Sequence, residues 1–361
     1  MFSDRLERAR TQLQAKGIDA LLVGPSADLR YLVGYEALPL ERLTLLIVPA
    51  QGEPQLVTPE LEVARAEDSG ATRFVELRPW AETEDPIAIV RDVLGGPGTF
   101  AVQDRLWSSF TLQFQDAVAG STWVPGSQVM RELRIIKTPE ERQLLREVGA
   151  AIDRVHAQVA ALLRPGRRER DAGRDIAELI REDHDEVNFV IVGSGPNGAS
   201  PHHETGDRIL EEGDAVVVDI GGTRQGYCSD CTRNYVVGHP PEGYDELHNV
   251  LEAAQAAAVQ AVAPGVTAES IDAAARDVIT EAGYGERFIH RTGHGIGVEE
   301  HEEPWIVAGN DLELRDGMAF SIEPGIYVPD RYGARIEDIV LVTSGGVENL
   351  NNRPRGFVVA G

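Results

Sequence analysis

The stretch DAVVVDIGGTRQGYCSDCTRNYVV, residues 214–237, decides the fold of the C-terminal part of this chain. Two apolar runs flank the turn-like sequence GGTRQG, a pattern that is typical of a β-hairpin. Asp219 ends the first run, and Asp230 lies eleven residues later in the second run. We expect both carboxylates to face one side of the hairpin. A buried carboxylate without a partner is unfavourable, so each one requires a cation or several hydrogen bonds.

Two histidines and two further acids of interest follow downstream. The segment HRTGHGIGVEEHEEP, residues 290–304, carries His294 and His301 among glycines. Glu323 follows an apolar stretch in SIEPGIY, and Glu337 lies within one in GARIEDIVLV. With 59 acids in 361 residues, about ten pairs of acids share any given spacing by chance. The evidence for a functional site is therefore the ordered set of residues and not any single pair of acids.

Two aspartates, two glutamates and one histidine on predicted strands form a ligand set that suits Mn, Co or Zn. The shortage of cysteine argues against a structural zinc site. Two ions roughly 3.5–4 Å apart require bridging carboxylates, which this set can provide. The alternative is five polar groups that are satisfied separately at strand edges. That interpretation is adequate for any one residue but not for the whole set.

Helical and extended patterns alternate in the second part of the chain. The helical patterns cover residues 169–183, 245–263 and 268–282, and the extended blocks cover 187–203, 214–237, 286–308 and 317–343. Helices followed by strands, twice, predict an α+β domain whose helices cover one face of a curved antiparallel sheet. Before them, residues 131–166 predict one long helix, with Thr138, Pro139 and Glu141 at its cap, first position and capping box.

Residues 1–125 predict a separate α/β domain that ends at GSTWVPG. Five apolar runs are typical of strands: IDALLVG, LTLLIVP, PQLVTP, TRFVELRPW and TFAVQD. Helices are expected from near Pro59, Asp85 and Ser108, and an N-terminal helix is expected to be capped at Ser3 and to end at Gly17. The second domain then covers residues 126–361, and a chain of this length is consistent with two domains.

Composition excludes several classes of protein. Lys plus Arg number 34 and Asp plus Glu number 59, a net charge of −25 that disfavours nucleic acid and anionic membrane surfaces as partners. Two cysteines exclude a disulfide scaffold. No apolar run approaches the roughly 18 residues of a membrane span, and the N-terminus lacks the apolar region of a signal peptide. We therefore expect a cytoplasmic protein.

Several other residues invite simpler interpretations. Cys228 and Cys231 are three apart, so on a strand they point to opposite faces and are expected to be packing residues. The glycines of GSGPNG are expected to shape a cleft, because the motif lacks the Lys-Ser/Thr of a phosphate-binding loop. His203 and His290 flank motif residues and are weaker catalytic candidates. Four more histidines are expected to be ordinary surface or helix residues: His156, His184, His239 and His248.

The ordered motifs VVVDIG, YCSDCTR, HRTGHGIG, SIEPGIY and RIED resemble the pita-bread metallopeptidases, which include methionine aminopeptidase, aminopeptidase P and prolidase. The resemblance covers about residues 130–350. The N-terminal region is similar to the creatinase-type N-terminal domain of the prolidase and aminopeptidase P branch. The pattern SGPNGASPHH, which carries His202, also resembles prolidases. The implied fold is a creatinase-like α/β domain followed by an α+β pita-bread domain.

The resemblance also implies roles for individual residues. Asp219 would chelate one metal ion, His294 and Glu323 would hold the other, and Asp230 and Glu337 would bridge the two. Glu323 would in addition shuttle the proton of the attacking water, whose pKa two shared cations lower. Two outer histidines, His202 and His301, would stabilise the oxyanion and orient the substrate. Arg335 lies two residues before Glu337, so the alternation of side chains along a strand is predicted to place both on one face. Arg335 is then expected to contact either the substrate carboxylate or the metal carboxylates.

The function implied is hydrolysis of Xaa-Pro bonds by a prolidase with two divalent ions per subunit. Manganese is the first choice of ion, with cobalt or zinc as alternatives. An aminopeptidase P that takes longer peptides and a non-catalytic pita-bread binding protein are the competing interpretations. The expected partners are a proline-containing peptide and a second copy of the chain in a homodimer. Arg42, in the loop GYEALPLER, is the expected partner of a dipeptide carboxylate, either alone or together with Arg335.

Overall fold

The computed structural model describes residues 1–361 and divides the chain into two compact units, Met1–Arg134 and Ile135–Gly361. The N-terminal unit contains a six-stranded mixed sheet with the strand order β4-β3-β2-β1-β5-β6. Its strands are β1 Ala20–Val23, β2 Leu45–Pro49, β3 Gln55–Pro59, β4 Glu76–Trp80, β5 Thr99–Val102 and β6 Thr122–Pro125. All five predicted strand segments therefore form strands, and the segment TWVP adds the sixth at an edge.

Six helices complete the N-terminal unit. They are α1 Phe2–Lys16, α2 Ala27–Val33, α3 Val63–Asp68, α4 Pro86–Leu94, α5 Ser108–Ala117 and α6 Ser127–Arg134, with 3-10 turns at Glu60–Glu62 and Ala71–Arg73. Helix α1 ends at Gly17, as expected, in the left-handed conformation with a φ of 65°. The predicted cap at Ser3 is wrong, because the helix begins at Phe2, two residues earlier than that cap implies, and Met1 occupies the cap position without a side-chain hydrogen bond.

The division between the two units falls after α6 rather than near residue 125. Helix α6 packs against α1, and both belong to the N-terminal unit. The expected single helix over residues 131–166 is interrupted. Its first turn belongs to α6, and α7 begins only at Pro139. Thr138 precedes this proline in an extended conformation, with φ −65° and ψ 165°, which a residue before proline prefers.

The C-terminal unit contains two larger sheets and a two-stranded ribbon. One sheet has the strand order β17-β9-β8-β7, the other has the order β11-β10-β12-β15-β16, and β13 pairs with β14. The strands are β7 Glu186–Ser194, β8 Ala215–Arg224, β9 Tyr227–Val237, β10 Gly293–Gly295, β11 Glu302–Ile306, β12 Ala319–Ile322, β13 Gly325–Val328, β14 Tyr332–Arg335, β15 Asp338–Thr343, β16 Gly346–Asn349 and β17 Val358–Ala360.

Four helices cover these sheets in two pairs. They are α7 Pro139–Val159, α8 Glu169–Arg181, α9 Tyr244–Ala261 and α10 Ala268–Glu281, with 3-10 turns at Ala160–Leu162, Gly195–Ala199 and Gly285–Arg287. Helices α7 and α8 form one apolar cluster with β7, β8 and β9, while α9 and α10 form another with β12 and β15. The predicted repetition of helices followed by strands is therefore present in the structure. None of the helices combines the length and the apolarity that crossing a bilayer requires.

Side-chain alternation along the strands separates the core from the site. In β8, Val216, Val218 and Ile220 join the apolar cluster beneath α7 and α8, so Asp219 points to the opposite face. In β12, Phe320 and Ile322 face α9 and α10 in the same way, and the intervening residues face away. The face that the helices leave uncovered therefore receives the polar side chains of both sheets.

We expect Thr138→Ala to lower the free energy of unfolding of the protein by about 1 kcal/mol. The Thr138 hydroxyl accepts a hydrogen bond from the Glu141 backbone N–H at 3.3 Å, and the Glu141 carboxylate accepts one from the Thr138 N–H at 2.7 Å. Thr267→Ala is the matched control, because Thr267 caps α10 without any side-chain hydrogen bond. Equal losses for both variants in denaturant unfolding would contradict a contribution from the capping box.

Candidate metal centre

The hairpin of β8 and β9 places Asp219 and Asp230 on one face. Asp219 lies opposite Thr232 in the register, and Gly221 lies opposite Asp230, so the two carboxylates are diagonal neighbours on the same side. The turn is shorter than GGTRQG: only Gln225 and Gly226 connect the strands, with φ values of 50° and 79°. Two positive φ values are typical of the tight turns that match the twist of paired strands.

The second sheet supplies His294 and Glu323. His294 is the central residue of β10, and the flanking glycines permit close packing, since a Cβ at Gly293 would collide with the carbonyl oxygen of Ser321. Glu323 follows directly after β12. The Ser321 hydroxyl accepts a hydrogen bond from the His294 N–H and donates one to Glu323, both at 3.0 Å. This hydroxyl therefore fixes the histidine backbone and the glutamate side chain together.

Glu337 completes the cluster from a connecting segment. It lies between β14 and β15, not within a strand as expected, so the alternation that was predicted to align it with Arg335 does not apply. Its Oε2 accepts a hydrogen bond from the Thr232 hydroxyl at 2.8 Å. One ligand atom from each of Asp230, His294 and Glu337 lies within 4.8 Å of the others, and all three residues are buried.

Buried oxygen atoms without donors indicate that this cluster fits a cation. Asp219 Oδ1, Asp230 Oδ1 and Glu337 Oε1 are shielded from water and have no hydrogen-bond partner. Burial, and then the charges of neighbouring carboxylates, raise the pKa of Asp230 well above its usual range. The same two causes raise the pKa of Glu337. A divalent cation would satisfy these oxygens and reverse the repulsion.

The pKa of Glu323 shifts in the opposite direction. Burial alone would raise the pKa of this carboxyl, but the hydrogen bond and charge of His294 outweigh burial, and the pKa falls to about 2. The His294 Nε2 lies 3.1 Å from Glu323 Oε1 and 3.8 Å from Asp230 Oδ2. His294 Nδ1 lies 3.1 Å from the carbonyl oxygen of Gly295, so a proton on Nδ1 would let Nε2 bind a metal ion in place of its contact with Glu323.

The Arg335 guanidinium donates hydrogen bonds to three side chains around the cluster. Its Nη2 donates to Asp219 Oδ2 at 2.7 Å, its Nη1 donates to the Tyr327 hydroxyl at 2.9 Å, and its Nε donates to the Thr232 hydroxyl at 3.2 Å. The guanidinium is buried. Of the two roles expected for Arg335, the contacts therefore support stabilisation of a carboxylate in the metal cluster.

These residues lie at a cleft of about 530 Å³ whose lining comes entirely from the C-terminal unit. The lining residues are Phe189, Ile191, Pro201, His202, Asp219, Asp230, His290, Arg291, His294, Glu300, His301, Glu323, Arg335 and Glu337. All five predicted ligands and both outer histidines are present. The rings of His294 and His301 lie 4.1 Å apart, and burial, followed by the His294 charge, lowers the pKa of His301 to about 4. His301 is thus a neutral donor or acceptor at pH 7.

His290 and His203, which flank motif residues, form hydrogen bonds with side chains that support the site. His290 Nε2 lies 2.9 Å from the Tyr327 hydroxyl, which also accepts from Arg335, so His290 is linked to Asp219 through two side chains. His203 Nε2 lies 2.9 Å from the buried Glu169. Tyr327, within the motif SIEPGIY, therefore connects His290 with Arg335.

Glu169 is a residue that sequence reasoning missed. It is fully buried at the start of α8 and accepts hydrogen bonds from the Ser194 N–H and hydroxyl at 2.8 and 2.7 Å and from the Asn197 amide at 3.1 Å. Together with His203, these partners fix both ends of the segment that carries His202. No sequence signal marks Glu169, since the first turn of many helices is acidic.

The expectations for the remaining residues have mixed outcomes. Cys228 and Cys231 are buried free thiols, and Cys231 packs in the apolar cluster beneath α7 and α8. His184 is buried and lies outside any helix, so the expectation of a surface or helix residue is wrong for it. His156 and His248 are on helices but are buried, because each has a polar partner inside the unit: Tyr235 at 3.0 Å and Asn234 at 3.3 Å.

Arg42 lies in the N-terminal unit and makes two ion pairs there. Its Nε donates to Glu82 at 3.0 and 3.1 Å, and its Nη1 donates to Glu41 at 2.6 Å. A role of Arg42 in binding substrate stays a prediction.

A buried cluster of Asp, Glu and His residues in a cleft defines the class of metal-dependent hydrolases. Comparison with known families is more specific. Residues 143–344 match the model of metallopeptidase family M24, and residues 5–136 match the Creatinase/Prolidase N-terminal domain. The chain belongs to metallopeptidase family M24. The predicted architecture, a creatinase-like N-terminal domain followed by a pita-bread domain, is confirmed.

Relatives align over nearly the whole chain. A probable dipeptidase PepE from Mycobacterium tuberculosis is 51% identical over 99% of this chain and 96% of its own length. The crystal structure of the dipeptidase PepE from Mycobacterium ulcerans is 50% identical, with a TM-score of 0.95 over 99% of this chain and 97% of that chain. A prolidase from Thermococcus sibiricus is 36% identical, with a TM-score of 0.94 over 99% of both chains.

We expect Asp230→Asn and Glu337→Gln to have opposite effects with and without metal. Each variant should lose bound divalent metal in elemental analysis, because an amide is a far weaker ligand than a carboxylate. In the presence of EDTA, each should unfold at or above the temperature of the wild-type protein, since one of the repelling buried charges has been removed. Glu281→Gln, on an exposed helix end, is the control. If a variant kept its full metal content without EDTA and unfolded at a lower temperature than the wild type in EDTA, the carboxylate would have a purely structural role.

Proposed function

We propose that this protein is a metal-dependent dipeptidase that prefers Xaa-Pro substrates, that is, a prolidase with two divalent ions in one centre. The observation that carries this proposal is the set of three buried carboxylate oxygens without donors, in a cleft that also holds the two outer histidines, His202 and His301. The dipeptidase names of the most similar relatives support dipeptides as substrates. The prolidase relative supports the preference for proline.

The ligand assignment follows from position in the cluster. Asp219 would hold one ion, His294 and Glu323 the other, and Asp230 and Glu337 would serve both. Hard oxygen ligands with one imidazole favour manganese, with cobalt and zinc as alternatives. Divalent ions in such a centre polarise a carbonyl group and lower the pKa of water.

The side chains around the cluster supply the remaining functions. Glu323 would accept a proton from the attacking water and return it to the leaving nitrogen. His202 and His301 stabilise the negative charge that develops on the carbonyl oxygen and orient the peptide. Arg335 keeps Asp219 in position from behind the cluster. Ser321 does the same for Glu323.

We expect the metal-loaded protein to hydrolyse Ala-Pro faster than Ala-Ala and much faster than Ala-Pro-Ala, with all activity lost in EDTA and restored by Mn²⁺. A coupled assay that measures kcat/KM for the three peptides tests the proposal. Preference for the tripeptide would identify an aminopeptidase P. Equal rates on the two dipeptides would leave a general dipeptidase. Hydrolysis of none of the three, with metal bound, would support a binding protein instead.

We expect Glu323→Gln to keep the fold and to lower kcat by about 10²-fold or more, because the proton acceptor is removed. His202→Ala and His301→Ala should each lower kcat by about 10²-fold while retaining metal, since neither is assigned as a ligand. Elemental analysis accompanies the kinetics. A histidine variant that loses metal but keeps its fold would show that this histidine is a ligand.

A further inference from the structure

Arg291 is a cation in the cleft that the proposed chemistry does not use. It is partly buried and lines the cleft together with His294 and Glu323. It lies in the segment between the turn Gly285–Arg287 and strand β10. Five carboxylates line the same cleft: Asp219, Asp230, Glu300, Glu323 and Glu337. An anionic group of a substrate therefore needs a cation of its own in this cleft.

The Arg291 guanidinium has no hydrogen bond or ion pair with any other group of the chain. Its Cζ lies 4.4 Å from the centroid of the Trp305 ring. The other arginine of the cleft, Arg335, is paired with Asp219, and Arg42 of the N-terminal unit is paired with Glu82 and Glu41. Of these three guanidinium groups, only that of Arg291 can bind a carboxylate without breaking an existing ion pair.

The stacking partner of Arg291 is tied to the metal centre. Trp305 lies directly opposite His294 in the antiparallel register of β10 and β11, so the two side chains share one face of the sheet. The N–H groups of a guanidinium point outward within its own plane, so a guanidinium that lies over an aromatic ring can still donate them to an anion. The stack therefore holds a two-pronged donor beside the ligand cluster.

The backbone on both sides of Arg291 is fixed. Arg276 donates to the carbonyl oxygens of Phe288 and His290, at 3.1 and 2.8 Å. The N–H of Thr292 donates to Asp272 Oδ1 and to the Ile306 carbonyl oxygen, both at 3.0 Å. The position of the guanidinium is thus largely determined before any ligand binds, which reduces the entropy cost of binding.

Partial burial makes an unpaired cation unfavourable here. Loss of hydration lowers the pKa of Arg291, and the Glu323 carboxylate opposes this effect. A carboxylate that arrives with a substrate would form two charge-assisted hydrogen bonds with the guanidinium.

We propose that Arg291, stacked on Trp305, binds the C-terminal carboxylate of the dipeptide and thereby selects substrates that end one residue after the cleaved bond. This inference rests on the proposed dipeptidase function and specifies its substrate recognition. A longer peptide places a neutral amide at the same point and leaves the cation unpaired. Discrimination therefore comes from a missing charge as well as from space.

The test compares Ala-Pro with its C-terminal amide on the full-length, metal-loaded protein. The wild type should favour the free acid in kcat/KM. Arg291→Gln should lower this acid-to-amide ratio by about tenfold or more, mainly through the KM of the acid, and Arg291→Lys should give an intermediate ratio because it keeps the charge but not the fork. Arg331→Gln is the matched control: Arg331 also stacks on an aromatic ring, Tyr332 at 4.9 Å, but is exposed outside the cleft.

A binding measurement separates this inference from the proposed function. Calorimetry with Ala-Pro analogues whose scissile amide is reduced to an amine, in acid and amide forms, should give about tenfold tighter binding of the acid to the wild type and nearly equal binding to Arg291→Gln. This result without hydrolysis by the wild type would overturn the dipeptidase proposal and keep the assignment of Arg291.

Three outcomes would overturn the assignment of Arg291. The first is a wild type that shows no preference for the acid. The second is an Arg291→Gln variant that weakens acid and amide equally or changes only thermal stability, which would indicate a packing role on Trp305. The third is a loss of the acid preference in Arg42→Ala but not in Arg291→Gln, which would move the carboxylate site to Arg42.

Discussion

Repulsion among Asp219, Asp230, Glu323 and Glu337, collected where water is excluded, is the constraint that the C-terminal unit has to satisfy. Each neighbour of the cluster reduces that repulsion in a different way. Arg335 contributes a buried positive charge to Asp219, Thr232 donates to Glu337, and His294 keeps Glu323 ionised. Three oxygens nevertheless remain without donors. The protein part of the site is therefore incomplete by construction, and divalent cations supply what is missing.

The hairpin and the capping box could be read from the sequence because both are local. Asp219 and Asp230 follow from alternation along two strands with a tight turn between them, and Thr138 with Glu141 follows from a spacing of three. The whole ligand set was implied by the resemblance of five ordered motifs to a known family, and the structure brings all five residues to one cleft.

Contacts between distant segments could not be read in this way. The packing of α6 against α1 joins segments that lie more than 100 residues apart in sequence. The burial of His184 depends on a hydrogen bond to Ser229, and the stack of Arg291 on Trp305 depends on the register of two strands that are not joined by a tight turn. Glu169 illustrates the same limit, since only the folded chain brings its donors together.

The origin of the ligands in separate parts of the chain has a consequence for biosynthesis. Asp219 and Asp230 come from the first sheet, His294 and Glu323 from the second, and Glu337 is bonded to Thr232 across 105 residues. During translation, the hairpin acids leave the ribosome well before the residues that complete their coordination. The cluster of acidic and histidine side chains can therefore assemble only after the second sheet has been made. A translation product that ends before β10 would lack three of the five clustered residues, His294, Glu323 and Glu337, and would not form the cluster.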